Sequence, residues 1–264
     1  SEHSENIPMI RFSPNGKRLA TASWDNTVGV WDTATGARLH RLAGHQGWVN
    51  DISFSPDSAF LASASADGSL RIWSTETGES LHKLTGHQGA VNAVRFAPDQ
   101  QTLASTSEDQ SARIWSLDGQ ELHRLTGHDA ELYAVEFSPD SRMIATGSDS
   151  NEALIWSSRD GQLLHRLIGH KDGIYAMQFS PDGQRIITGS ADHSIKKWCT
   201  RSGSLVQSMV GHTDTVNALQ FSTDGSQIVS GSWDKSTRIW QSGTENLLHS
   251  LIGHKGWVLK INYS

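Results

Sequence analysis

Histidine, serine and aspartate recur together in this sequence at spacings that raise the question of nucleophilic catalysis. His45 is followed by Ser63, Asp67 and Trp73, and a hydroxyl, an imidazole and a carboxylate are the parts of a catalytic triad. Four further sets repeat the pattern: His3, Thr21, Asp25 and Trp31; His87, Ser105, Asp109 and Trp115; His170, Thr188, Asp192 and Trp198; His212, Ser230, Asp234 and Trp240. One chain does not need five active sites, so we predict no catalytic residue and no enzyme.

The 13 histidines also raise the question of a metal site. Seven form a ladder of evenly spaced residues: His3, His45, His87, His128, His170, His212 and His254. Five more stand five places before a ladder histidine: His40, His82, His123, His165 and His249. Because each type occurs once per repeat, its members are expected too far apart to share a metal at bonds of about 2 Å. Only His193 falls outside both groups, and we predict neither a metal nor a cofactor.

These residues belong to a repeat that runs through the whole chain. The histidine and tryptophan ladders advance by 42 residues, with a single step of 41. Each repeat contains four short alternating segments, such as VNDISFS, FLASASA, SLRIWS and SLHKL, separated by PDS, DG and TETG turns. No window of helical period is long enough to compete. A four-stranded repeat of this length indicates a β-propeller blade.

The Gly-His pairs, the turn aspartates and the tryptophans that end each third strand resemble those of the WD-repeat β-propeller family. The resemblance covers essentially the whole chain, and the close similarity of the repeats resembles bacterial multidomain members. It implies an all-β propeller in which the four-residue sets are structural, with hydrogen bonds running from Trp to Ser or Thr, to His and to Asp. The fourth repeat keeps His128, Thr146 and Trp156 but has Ser150 in place of the aspartate. We expect a weaker or rewired network there.

We predict one propeller domain over residues 1–264, with six complete blades. The expected blades span about 3–43, 44–85, 86–126, 127–168, 169–210 and 211–252, and 253–264 forms the first strand of a further blade. Most members of the family have seven blades. We favour a piece of a longer protein with seven or more. The alternatives are a six-bladed ring closed by the extra strand, and open edges completed by another chain.

Four tryptophans lie outside the ladder: Trp24, Trp48, Trp233 and Trp257. The resemblance implies that their positions, and the one five residues after each ladder histidine, lie on the top face where partners bind. Contiguous exposed aromatic residues usually mark binding sites. The alternative is that these rings pack on one another and tighten that face.

The same offsets place further residues on this surface: Asn50, Asn92, Glu108, Glu131, Tyr133, Asp149, Tyr175 and Asn217. Three of them form an acidic sector in the third and fourth repeats. This sector would suit a partner with a basic extension, or it is ordinary solubility charge.

Charge and cysteine content restrict the classes of partner and compartment. The net charge of −6 argues against nucleic acids and anionic membranes, which need a basic face. The single cysteine, Cys199, excludes an internal disulfide and fits the cytoplasm. No apolar run approaches membrane-spanning length.

We therefore expect a cytoplasmic, non-catalytic scaffold or sensor that binds a protein or peptide through the tryptophans. One alternative is a carbohydrate or small-ligand binder that uses the same aromatic patch. Another is a self-associating propeller fragment, a homo-oligomer formed through open edges.

Overall fold

The computed structural model describes residues 3–244 and 246–261. Over these residues the chain forms 24 β-strands and no helix, so the described part holds no helix that could cross a membrane. The strands make six antiparallel four-stranded sheets, each built from four consecutive strands. We call each sheet a blade and number the blades one to six. The prediction of an all-β fold with six four-stranded blades is confirmed.

The chain divides into two compact units, and the first, Ser1–Gly127, holds blades one to three. Blade one contains β1 (Met9–Phe12), β2 (Arg18–Ala22), β3 (Thr27–Asp32) and β4 (Arg38–Ala43). Blade two contains β5 (Val49–Phe54), β6 (Phe60–Ser65), β7 (Ser69–Ser74) and β8 (Ser80–Thr85). Blade three contains β9 (Val91–Phe96), β10 (Thr102–Ser107), β11 (Ser111–Ser116) and β12 (Glu121–Thr126).

The second unit, His128–Ser264, holds blades four to six. Blade four contains β13 (Leu132–Phe137), β14 (Met143–Ser148), β15 (Glu152–Ser157) and β16 (Leu163–Ile168). Blade five contains β17 (Ile174–Phe179), β18 (Arg185–Ser190), β19 (Ser194–Cys199) and β20 (Leu205–Val210). Blade six contains β21 (Val216–Phe221), β22 (Gln227–Ser232), β23 (Ser236–Gln241) and β24 (Leu247–Ile252).

Burial falls from the second strand of a blade to the fourth. In blade two, β6 has five buried residues in a row, whereas β8 buries only Leu84. The middle strands pack on both faces and therefore carry continuous small or apolar runs, and the outer strand exposes its other residues. His193, the histidine outside both sequence patterns, has a φ of 68° in the β18–β19 turn, so its place is explained by the turn.

The core lies between consecutive blades within each unit. The rear face of one blade, which faces the next blade along the chain, packs on the front face of that next blade. Leu84 of blade two lies in one cluster with Phe96, Leu103 and Trp115 of blade three. Blades one and two, four and five, and five and six are joined in the same way.

A further inner segment follows blade six, as the sequence predicts. The backbone N–H of Val258 donates to the carbonyl of Ser232 at 3.1 Å, just as Val49 donates to Ser23 at 3.1 Å where blade two begins. Val258 is buried, and it would contact a Cβ added to Gly231. The segment has no neighbouring strand to pair with among the described residues, so it lacks a β-ladder. Residues 262–264 lie outside the described residues.

Candidate partner-binding surface

The four-residue set of blade two forms a buried hydrogen-bond chain. Trp73 Nε1 donates to Ser63 Oγ at 2.8 Å, and Ser63 Oγ lies 2.7 Å from His45 Nε2. An indole N–H can only donate, so the Ser63 hydroxyl accepts that hydrogen bond and donates its own O–H hydrogen bond to Nε2. His45 therefore carries its proton on Nδ1, which lies 3.0 Å from Asp67 Oδ2.

The same chain recurs in blades one, three, five and six. Across the five blades the imidazole Nδ1 lies 2.7–3.0 Å from the carboxylate and Nε2 lies 2.7–2.8 Å from the hydroxyl. Ser63, Ser105 and Ser230 have no exposed surface. Each hydroxyl already bridges a tryptophan and a histidine, so no substrate can reach it as a nucleophile.

The aspartate also organises the turn that it occupies. In blade five, Asp192 Oδ2 accepts the backbone N–H of Lys171 at 2.9 Å, and Oδ1 accepts the N–H and hydroxyl of Ser194 at 2.9 and 2.6 Å. Ser190 supports the turn from its other side, because it accepts the backbone N–H of Asp192 and donates to the carbonyl of Asp172. Neither serine belongs to the four-residue sets identified from the sequence, although serine recurs at these two positions in most repeats.

The network favours the ionised form of its carboxylates and, in blades three and six, the neutral form of the histidine. Burial alone would raise the pKa of the carboxylates in blades two, three, five and six, but the hydrogen bonds that they accept outweigh burial and lower the pKa below its usual range. The pKa of Asp25 in blade one falls to about 2 in the same way. Burial lowers the pKa of His87 and His212, and the facing carboxylates oppose this shift only in part.

Blade four keeps only half of this network. Trp156 Nε1 donates to Thr146 Oγ1 at 2.8 Å, and Thr146 Oγ1 lies 2.8 Å from His128 Nε2. Ser150 bonds instead to the Ser148 hydroxyl at 2.7 Å and places no carboxylate beside His128 Nδ1. Burial lowers the pKa of His128 to about 4, and the Arg166 charge adds to the shift.

The four tryptophans outside the ladder form two stacked pairs, one in each unit. Trp24 and Trp48 have ring centroids 4.9 Å apart and an interplanar angle of 19°. Trp233 and Trp257 repeat this geometry at 4.7 Å and 16°. The outer ring is more than half exposed in both pairs: Trp48 is 54% exposed and Trp257 is 59% exposed. The rings do pack on one another, yet each pair leaves one ring open to solvent.

The other proposed surface residues divide into two groups. The asparagines tie consecutive repeats together: Asn50 Nδ2 donates to the carbonyl of Val91 at 3.1 Å, and Asn217 Nδ2 donates to that of Leu259 at 3.3 Å. Asn92 occupies the corresponding position of β9 and is half-buried. Position in the repeat assigned these side chains to the top face but did not predict that two of them form hydrogen bonds within the molecule.

The acidic and tyrosine residues of the second unit come together. The hydroxyl of Tyr133 donates to Glu131 at 2.5 Å, and that of Tyr175 donates to Asp149. The two rings lie 5.4 Å apart. Burial and the neighbouring carboxylates raise the pKa of Tyr175. Glu108, in the first unit, is exposed. Asp149 is therefore engaged by Tyr175 rather than by the blade-four histidine.

No group of three or more His, Cys, Asp or Glu side chains within residues 3–244 and 246–261 could hold a metal ion. Cys199 is half-buried, and hydrogen bonds from Ser202 lower its pKa to about 7.

Comparison with known families decides the class of this fold. The protein-family model described as "WD domain, G-beta repeat" matches this sequence at residues 1–32, 36–74, 78–116, 119–157, 161–199 and 203–241. The chain belongs to the WD40 family. WD40 propellers are generally non-catalytic and typically serve as protein-binding scaffolds, which agrees with the buried hydroxyls of the repeated sets.

Individual WD40 relatives match over about one repeat. Ribosome assembly protein 4 of Chaetomium thermophilum is 46% identical over 52 residues, 19% of this chain and 10% of the relative. Nuclear distribution protein nudF 1 of Talaromyces marneffei is 36% identical over 50 residues, which cover 19% of this chain and 11% of the relative. Probable serine/threonine-protein kinase PkwA of Thermomonospora curvata is 50% identical over 40 residues, which cover 15% of this chain and 5% of the relative.

The chain thus covers about a tenth or less of each of these three relatives' own length. Relatives of this kind support a protein-interaction scaffold in general terms. They come mostly from eukaryotes, so the expected likeness to bacterial members is not confirmed.

Proposed function

We propose that this chain is a non-catalytic scaffold that binds a protein or peptide partner through its two stacked tryptophan pairs. The observation that supports this most strongly is the exposed outer ring of each pair, Trp48 and Trp257. A large exposed indole is a frequent anchor of protein interfaces, because it buries much apolar area with few rotatable bonds.

The fold itself does not need tryptophan at these positions. One repeat after Trp24 and Trp48, the equivalent positions hold Ala66 and Ala90. Four repeats after, they hold Ala191 and Thr215. The local backbone is the same in both cases: Ala191 N–H donates to a carbonyl at 2.9 Å and Trp233 N–H at 3.0 Å. Since small residues suffice, the tryptophans are available for a role other than blade packing.

The acidic residues suggest a basic extension on the partner. Glu131 and Asp149 carry two carboxylates beside the tyrosine pair, and the chain has a net charge of −6. A lysine or arginine could approach both the carboxylates and the ring faces. The same charge argues against nucleic acid and anionic membrane as partners.

We further propose that the chain acts in the cytoplasm as one module of a longer protein, for which the single cysteine and the partial coverage of its relatives are the support.

A peptide selection followed by titration tests the proposal. A random peptide library is selected on the immobilised chain, and the dissociation constant of the best peptide is measured for Trp48→Ala, Trp257→Ala and the control Leu81→Ala. Leu81 is exposed on β8, away from the indoles in sequence. We expect an affinity loss of about tenfold or more for one of the tryptophan variants and no change for the control.

Equal affinity in all three variants would contradict the proposal. Titration of the indole fluorescence with a glycan panel tests the carbohydrate alternative. A response to glycans with no selectable peptide would favour it.

A further inference from the structure

The turn between the first and second strands recurs in every blade, and one position in it differs in blade one. Blade one carries Asn15 there, and blades two to six carry an aspartate: Asp57, Asp99, Asp140, Asp182 and Asp224. In each blade the Oδ1 atom at this position accepts the backbone N–H two residues later, at 2.9–3.1 Å. Asn15 therefore holds the place of the repeated aspartate without its charge.

The hydrogen bonds of this turn favour a carboxylate over an amide. In blades two, four, five and six a serine hydroxyl donates to the aspartate at 2.5–2.6 Å, whereas the hydroxyl of Ser13 lies 2.8 Å from Asn15 Oδ1. Hydrogen bonds to an ionised acceptor are the shorter and stronger ones. The serine hydroxyl and the backbone N–H lower the pKa of these four aspartates, and the pKa of Asp224 falls to about 2. An aspartate at position 15 would be held more tightly than the asparagine.

The residue after Asn15 is Gly16, and this pair is open to an internal reaction. A glycine carries no side chain that shields its backbone nitrogen from the asparagine amide before it. No other asparagine in the sequence precedes a glycine. Asn15 and Gly16 are both exposed, so water has access to both reacting groups.

The turn also brings the reacting atoms together. Oδ1 of Asn15 accepts the N–H of Lys17 at 3.0 Å, so the side chain folds over the Gly16 peptide and Cγ approaches the Gly16 nitrogen. Ser13 and Lys17 both donate to Oδ1, where negative charge develops when a nucleophile adds to Cγ. One bond opposes the reaction, because the Gly16 N–H donates to the carbonyl of Ser13 at 2.8 Å and must first be released. Water can replace that bond in an exposed turn.

We propose that Asn15 is a deamidation site and that aspartate is its main product in the folded chain. The Gly16 nitrogen loses its proton to hydroxide and attacks Cγ, so that a C–N bond forms and a cyclic imide closes. The bond from Cγ to Nδ2 breaks, and the amide nitrogen takes up a proton and leaves as ammonia. Water then adds to a carbonyl of the imide and opens it. In sum, one asparagine and one water give one aspartic acid and one ammonia.

The same donors select the bond of the imide that water breaks. Addition of water at Cγ breaks the bond to the Gly16 nitrogen and gives aspartate, whereas addition at the main-chain carbonyl gives isoaspartate. Ser13 and Lys17 polarise the Cγ carbonyl, and the aspartate product keeps both of their bonds. Isoaspartate would add a carbon to the backbone of a turn that the bond from Gly16 to Ser13 closes. Blade one thereby acquires the charged turn of the other blades.

Mass spectrometry of the folded chain tests the site. The purified chain is held at mildly alkaline pH, and the peptides that contain Asn15 and Asn151 are followed over time. Asn151 is the reference, because it is also exposed in a turn but precedes Glu152. We expect Asn15 to convert about tenfold faster or more. In Gly16→Ala the added methyl group meets no atom within 4 Å, and it should slow the conversion by a similar factor because it shields the nitrogen.

The ratio of the two products tests the role of the turn. The folded chain is compared with the same chain unfolded in urea, and isoaspartate is measured with an isoaspartate-specific methyltransferase. We expect aspartate to predominate in the folded chain and isoaspartate in the unfolded chain. The variant Asn15→Asp should melt about 2 °C above the parent chain. Asn151→Asp adds the same charge outside this turn and should not raise the melting temperature.

The proposal is wrong if Asn15 keeps its amide in the folded chain while it reacts in the unfolded chain, because the turn then protects it. Equal rates at Asn15 and Asn151, or isoaspartate as the main product of the folded chain, would also overturn it. A melting temperature that does not rise in Asn15→Asp would show that the turn has no preference for the carboxylate.

Discussion

Blades four and five share one compact unit and most of their sequence pattern, yet they differ in one turn. Blade five closes its network with Asp192, which lies 2.8 Å from His170 Nδ1 and accepts three further bonds from Lys171 and Ser194. Blade four has Ser150, whose hydroxyl bonds to Ser148 instead. The tryptophan–threonine–histidine part is the same in both blades to within 0.1 Å.

The difference shows that the two parts of the network are separable. Strand pairing and the buried tryptophan persist without the carboxylate, because β14 and β15 keep the same pairing pattern as β18 and β19. The carboxylate sets the charge environment of the histidine and the order of the turn. We therefore expect blade four to be the less stable of the two blades. We also expect protonation of its histidine to cause the larger loss of stability in acid.

The largest expected effect comes from making blade five like blade four. Asp192→Ser removes the acceptor of His170 and of three other donors, which leaves buried polar groups unsatisfied. We expect a loss of about 3 kcal/mol in the free energy of unfolding, measured by urea denaturation, with faster hydrogen exchange confined to peptides of blade five.

Asp160→Ser is the matched control, because Asp160 lies in an exposed turn of the same unit. It should change stability by less than about 0.5 kcal/mol. If Asp192→Ser had an equally small effect, the carboxylate would be dispensable and the two blades would not differ in the way proposed.

The sequence predicted the strands and the repeated sets well because both depend on position within the repeat. The ladders place Trp198 and Thr188 on facing strands and His170 in the loop that precedes the first strand of the blade, and the fold brings the three together wherever the period holds. The sequence predicted less about side chains whose role depends on residues of a neighbouring repeat. Asn50 reaches the carbonyl of Val91, and Asp149 receives the hydroxyl of Tyr175. These contacts join different repeats, and periodicity within one repeat does not specify them.

The tryptophan pairs illustrate the same limit. Spacing indicated that Trp24 and Trp48 occupy equivalent surface positions with Trp233 and Trp257, but not which ring would stack on which. Each stack joins a turn of one repeat to the loop that opens the next. It depends on the distance between consecutive blades, which the sequence of either repeat alone does not contain.

An intermediate effect is expected from acid acting on blade four. Burial lowers the pKa of His128 to about 4, below the value of about 6.5 in an unfolded chain. Between these values the unfolded chain binds a proton that the folded chain does not, so the stability contribution is full above pH 6.5 and is lost as the pH falls toward 4. We expect a loss of about 2 kcal/mol from this residue.

Imidazole proton resonances measured across this range identify the residue. His128 should titrate near pH 4, while the network carboxylates, whose pKa values the hydrogen bonds hold well below the usual range, stay ionised throughout. A normal titration of His128 near 6.5 would remove blade four as the acid-sensitive blade.

The smallest effect is expected from making blade four like blade five. Ser150→Asp supplies the carboxylate, and Glu152→Ser supplies the hydroxyl that Ser194 contributes in blade five while it removes a nearby like charge. Glu152 also pairs with Arg166 at 2.8 Å, and the loss of that partly exposed pair offsets part of the gain. We expect a net stabilisation of about 1 kcal/mol, measured by urea denaturation at pH 7.

The charge of the new side chain separates two explanations of that gain. Ser150→Asn with Glu152→Ser offers a side chain of the same size that can still accept a hydrogen bond but carries no charge. If the carboxylate acts through His128, only the aspartate variant raises the pKa of that histidine. Only that variant then loses less unfolding free energy than the parent chain between pH 6.5 and 4. Equal behaviour of the two variants would mean that the turn geometry, and not the charge, distinguishes blade five from blade four.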